Sequence, residues 1–253
     1  MSISSLKAQF ILILKRVSKD LNSYKNLKTI VVALLGVSLL TACASKSGYD
    51  ENGYEHCDGE ATYTLIFDST WSAETHPDDF PDAPHYSELI GATHNGDVSF
   101  WSPGKTASSG IKDVAELGVN WKFIKAVNWA IKIGEAKALV HGPDIKHSPG
   151  RAQVGFQVDG KHSLITILSM IAPSPDWFVG VSGLDMCENG TWVSNKTIGL
   201  KAYDAGTDDG ANYTAGDQTS EPKIPISLLS SGIHHSNGVI PQLGTFSFEL
   251  VPN

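Results

Sequence analysis

Three aspartates stand in two short, turn-rich segments: Asp176 in Pro173-Ser174-Pro175-Asp176-Trp177, and Asp204 and Asp208 in Asp204-Ala205-Gly206-Thr207-Asp208-Asp209-Gly210. Calcium takes roughly six to eight oxygen ligands, mostly carboxylates and carbonyls, and glycines let a backbone fold tightly enough to gather them. The residue types therefore predict a Ca2+ site in which Asp176, Asp204 and Asp208 supply carboxylates and backbone carbonyls and water complete the shell. The second segment is not an EF-hand. With Asp204 as its first position, Ala215 stands where the bidentate glutamate belongs and Gly206 where the third position needs an oxygen. Asp209 is read as supporting the ligands or as a solvated charge. Asp and Gly also dominate ordinary turns, so residue types alone leave turn chemistry open beside metal binding.

The elements that must carry these loops read as β-strands. Apolar and polar residues alternate in Tyr63 to Phe67, Ala152 to Val158 and Thr245 to Val251, the period of half-buried strands. Leu164 to Ile171 and Trp177 to Val181 are more continuously apolar and read as neighbouring core strands joined through the Asp176 loop. Many strands broken by Gly and Pro turns predict a mainly β fold, an antiparallel β-sandwich. Two short helices are expected. Ser108 or Ser109 can cap Ile111 to Leu117, with Gly118 as the stop. Phe123, Val127, Ala130 and Ile131 then mark one apolar helical face, ended by Gly134. Trp121 and Trp129 are expected to pack this helix on a sheet rather than to line a ligand groove.

The N-terminus predicts export. Lys25 and Lys28 precede an apolar run from Ile30 to Leu40, and Leu40-Thr41-Ala42-Cys43 resembles a bacterial lipobox. The expected organisation is a signal peptide over 1–42, a lipidated Cys43 with a flexible tether over 43–56, and one domain over 57–253. Several acyl chains at Cys43 suffice for stable membrane anchoring, whereas the apolar run is shorter than the ~20 residues of a spanning helix. Ala44 beside the lipid resembles outer-membrane sorting, with periplasmic or surface-facing display.

The full chain carries 19 Lys+Arg and 27 Asp+Glu, net -8. Removing Met1 to Ala42 takes away six basic residues and one acidic one, leaving 13 against 26, net -13. Nucleic acid is excluded as a partner on this balance, since phosphate binding needs clustered cations and no Lys/Arg run follows Lys28. With Cys43 spent on lipid, Cys57 and Cys187 remain as a pair in an oxidising compartment, and a disulfide is the economical inference.

Nine histidines invite a zinc or catalytic reading, notably His234-His235 and His141 with His147. Neither pair has support: adjacent residues on a strand point to opposite faces, and no HExxH motif is present. His85 and His94 are read as structural hydrogen-bonding groups. No G-x-S-x-G nucleophile elbow occurs, whereas glycosidase-like carboxylate pairs are a matter of spatial separation, so a secreted hydrolase on a β-sandwich stands as the alternative.

PSPDWFVGVSGLDMC at Pro173 to Cys187 and DAGTDDG at Asp204 to Gly210 resemble the signature segments of the spondin N-terminal (F-spondin) domain family. The resemblance continues through Trp71-Ser72, His76 to Pro81, His85-Tyr86-Ser87 and Leu89 to His94, in the family's order and approximate spacing. It implies an extracellular β-sandwich of C2-like shape with calcium at one end, Asp176, Asp204 and Asp208 standing at matching positions, and a binding module rather than an enzyme. Cys187 also stands at a family cysteine. Adhesive or matrix-binding roles are implied by the animal members, whose partners do not transfer to an apparent bacterial lipoprotein. The expected partner is an unspecified protein or glycan at a cell surface.

Overall fold

The computed structural model describes residues 48–49, 55–229 and 241–252. The signal-peptide segment, Cys43 and His234-His235 lie outside these residues. The chain divides into two compact units, Met1–Lys46 and Ser47–Asn253, and every described residue belongs to the second.

In chain order the strands are β1 Gly48–Tyr49, β2 Glu55–His56, β3 Glu60–Ser69, β4 His85–Tyr86, β5 Ile90–His94, β6 Ala136–His141, β7 Gly150–Asp159, β8 Leu164–Ala172 and β9 Trp177–Asp185. They continue as β10 Cys187–Glu188, β11 Thr191–Trp192, β12 Asn195–Leu200, β13 Tyr203–Asp204, β14 Ser227–Leu228 and β15 Gly244–Leu250. Helices α1 Ser109–Leu117 and α2 Trp121–Ile133 fall between β5 and β6.

Among the described residues two large antiparallel sheets form the body of the domain, beside the two-stranded pairs β1–β2 and β10–β11. One runs β12-β15-β3-β7, the other β14-β13-β9-β8-β5-β6 with β4 joined to β8. Alternation sets the inner face of the first sheet: Tyr63, Leu65 and Phe67 of β3, Phe156 and Val158 of β7, and Phe246 and Phe248 of β15 are buried. They meet Ile165, Ile167 and Ile171 of β8 and Val179 and Val181 of β9. Edge-on ring pairs, Phe67 with Tyr86 at 4.7 Å and with Phe246 at 5.0 Å, fill the gap between the sheets. The fold is thus the expected sandwich.

The second sheet is covered on both faces, which is why β8 and the start of β9 read as continuous apolar runs. Ile90 and Ala92 of β5, Leu168 of β8 and Phe178 of β9 turn away from the first sheet and meet Ile111, Val114 and Ala115 of α1 and Phe123 and Val127 of α2. Ser108 is the N-cap of α1, its hydroxyl accepting from Ile111 N at 3.3 Å. Gly118 and Gly134 end the two helices in the left-handed conformation, φ 63° and 80°. Trp121 and Trp129 correct the expectation made for them. They are 50% and 59% exposed, because the period that buries Phe123, Val127 and Ala130 turns positions 121 and 129 outward.

Cys57 and Cys187 are disulfide-bonded, 130 residues apart in sequence with Cα atoms 5.8 Å apart. The bond ties the entrance of β3 to β10, just beyond β9.

Candidate carboxylate site at the turn between two strands

The site is built where β8 turns into β9 and β13 lies alongside. The turn is held by Ser174, whose hydroxyl donates to Ile171 O at 2.6 Å and accepts from Trp177 N at 3.1 Å. Pairing of β13 with β9 sets Asp204 opposite Trp177, so the register alone brings the second acidic loop against the first. Ala205 N donates to Asp176 O at 3.2 Å. Gly210 seats on Pro175, where a Cβ would come within 2.5 Å of the ring, and Gly206, at φ +71°, has no room for a Cβ beside the Ile224 carbonyl.

Asp176 is fully buried. Its Oδ2 accepts from Thr207 N at 2.7 Å, Thr207 Oγ1 at 3.2 Å and Asp208 N at 3.1 Å, which stitches the two loops together. Its Oδ1 is buried and has no hydrogen-bond partner among the described residues. Burial pushes this carboxyl up to about 6, the neighbouring Asp204 charge adds to the rise, and the loop's amides oppose it. Asp204 accepts from Gly206 N at 2.6 Å and is likewise raised, by burial first and then by the charges of Asp209 and Asp208. Asp208 spends Oδ1 on Gly210 N and Oδ2 on Gln218 N, each at 2.8 Å.

The three predicted aspartates therefore come together in two abutting loops, but not as one convergent set of side chains. Among the described residues no group of three or more His, Cys, Asp or Glu side chains has metal-holding geometry. The Asp204 charge acts on the buried Asp176, the charges of Asp209 and Asp208 act on the half-buried Asp204, and Asp208 closes its own loop. The unpartnered Oδ1 of Asp176, beside a second carboxylate whose pKa is also raised, suits a hard cation that takes further oxygens from the backbone and from water. One contributor, Thr207, which donates twice to Asp176, is not among the residues expected from sequence. Asp209, expected as a supporting residue or a solvated charge, is fastened by Ser220 Oγ at 2.6 Å, and its charge acts on Asp204 more strongly than that of Asp208. A signal was present in the paired Asp-x-Gly spacing of Asp204 to Gly206 and Asp208 to Gly210, since an aspartate commonly accepts the amide two residues on.

His85 and His94 make the structural hydrogen bonds expected of them. His94, buried, bonds Thr166 Oγ1 and Asn95 O at 2.7 Å each, and His85 bonds Ala83 O at 2.8 Å. His141 pairs with Glu88 at 2.8 Å, both well exposed.

Fold and site together define a disulfide-bonded antiparallel β-sandwich with a carboxylate-rich loop pair at a strand turn. Comparison with known proteins narrows the class. The Spondin_N family matches residues 61–239, and the chain belongs to that family. Spondin-2 of Rattus norvegicus is 32% identical over 211 residues, 80% of this chain and 64% of that protein. Spondin-2 of Homo sapiens is 32% identical over 203 residues, 77% and 60% of the two chains, and Spondin-1 of Gallus gallus 35% over 182 residues, 70% and 23%. The chain thus spans less than two thirds of the length of each of these relatives.

Proposed function

We propose that the domain is an extracellular binding module, of adhesion type, whose recognition surface at the Asp176 and Asp204 loops is set by calcium. The observation that carries this reading is the buried Asp176 carboxylate, one oxygen holding the Thr207 and Asp208 amides and the other unpartnered beside Asp204. Calcium, when bound, supplies the positive charge that this pair of carboxylates lacks. Asp176 Oδ1 and an oxygen of Asp204 would hold it as side-chain ligands, and Asp208, whose oxygens accept the Gly210 and Gln218 amides, would be the third carboxylate of the set. Relief of repulsion between the loops then holds them in one arrangement, a surface on which a protein or glycan ligand can dock.

The N-terminal half of the reading is a lipid at Cys43 that tethers the module to a bacterial membrane, in accord with the lipobox-like Leu40-Thr41-Ala42-Cys43. Among the described residues no helix is long and apolar enough to cross a membrane.

The test is the melting temperature of the chelator-stripped Ser47–Asn253 unit during a calcium titration, with magnesium and zinc as controls. A ligand that binds only the folded state stabilises by RT ln(1 + [L]/Kd), so a saturable, calcium-selective rise is expected. A flat response removes the metal from the reading and leaves the family assignment intact.

A further inference from the structure

Helix α2 has an unusual outer face. Among the described residues eight large hydrophobic side chains are exposed, and five of them fall in one stretch of chain: Leu117 at 66% ends α1, Val119 at 37% lies in the link, and Trp121 at 50%, Trp129 at 59% and Ile133 at 48% are on α2. Steps of four residues set Trp121, Lys125, Trp129 and Ile133 in one ridge, with Lys132 beside it, opposite the buried Phe123, Val127 and Ala130. The lysines lie over the indoles, Lys125 Nζ 4.5 Å from the Trp121 ring and Lys132 Nζ 5.5 Å from Trp129.

The charge of this face is opposite to that of the molecule. The 13 residues of α2 include three lysines and no carboxylate, within a chain of net charge -8. Lys122 is paired with Asp113 at 2.7 Å, whereas among the described residues Lys125 and Lys132 have no carboxylate within ion-pair distance. A helix with indoles and lysines on its outward face, lying flat on a folded domain, has the chemistry of an interfacial contact: aromatic rings settle at headgroup depth while ammonium groups meet lipid phosphates. Its length, about 20 Å, suits a contact along the membrane plane.

We propose that the outward face of α2 docks on an anionic lipid bilayer. The carboxylates elsewhere on the molecule are repelled by the same surface, so docking is weak, orients the domain with α2 against the lipid, and fades as salt screens the lysines. The inference is separate from the calcium reading and does not require the lipid at Cys43. A tether there would raise the local concentration of the face at the membrane.

The experiment is co-sedimentation of the Ser47–Asn253 unit, which holds both sheets, both cores and the disulfide, with vesicles of phosphatidylglycerol and phosphatidylcholine or of phosphatidylcholine alone. Chelator is present throughout, so failure here is independent of any calcium effect. Binding is expected to the phosphatidylglycerol vesicles and to fall with salt. The pair Lys125→Gln with Lys132→Gln should lower partitioning about 25-fold, some fivefold per lysine. Trp129→Ala should lower it as well, and all variants should keep the wild-type melting temperature because the side chains are exposed. The proposal is overturned by no binding, by equal binding to both vesicle types, or by variants that partition like wild type. A reversible dimer in sedimentation velocity that Trp129→Ala dissociates, without vesicle binding, overturns it in favour of self-association.

Discussion

Asp176 shows how one side chain couples structure to solution conditions. In the folded domain without a cation its carboxyl titrates near about 6, against roughly 4 in an unfolded chain. The native state therefore holds the extra proton between these values. The stability this group contributes is fully present below about pH 4 and is lost as pH rises through about 6, on the order of 3 kcal/mol. In chelator, melting temperature is expected to fall over that window, and Asp176→Asn should flatten the fall by removing the buried charge. Saturating calcium should flatten it too, because a bound cation lowers the cost of ionising Asp176. Asp204→Asn is expected to weaken calcium binding and the calcium-dependent gain in melting temperature together; a variant that keeps both unchanged rules Asp204 out as a ligand.

At the scale of elements, loops and helices are specified by a few positions. Gly206→Ala should destabilise by more than ~1 kcal/mol in thermal melts, since the residue needs a positive φ and a Cβ would overlap the Ile224 carbonyl. Phe178→Ala should cost about 3–5 kcal/mol by denaturant unfolding, as the side chain is fully buried between the second sheet and the helices, edge-on to Trp101 at 4.9 Å. The existence of β3, β7, β8, β9, β15 and both helices was legible from alternation, from continuous apolar runs and from Ser108, Gly118 and Gly134. Trp121 and Trp129 depart from what their residue type suggests because helical period decides which way they face. The spacing that assigned Phe123, Val127 and Ala130 inward already assigned them outward.

For the whole molecule the disulfide is the longest-range constraint. Joining Cys57 to Cys187 closes a loop of 130 residues and, in the chain-entropy account, stabilises by about 5 kcal/mol. Cys57→Ala with Cys187→Ala should lower the denaturation midpoint accordingly, and added reductant should do the same to the wild-type domain. Composition, the order of motifs and the cysteine count were enough for the family, the sandwich class and this pairing, because each rests on residue types and on periods written along one dimension. The sequence also named the aspartates of the site. Tertiary structure alone decided their roles: the β13–β9 register put Asp204 beside Asp176, Asp176 Oδ1 is buried with no hydrogen-bond partner among the described residues, and the amides of Gly210 and Gln218 hold Asp208 on its own loop. Those roles depend on distance and desolvation between segments some 30 residues apart in the chain, as Asp176 and Thr207 are, and such quantities exist only once the strands have paired.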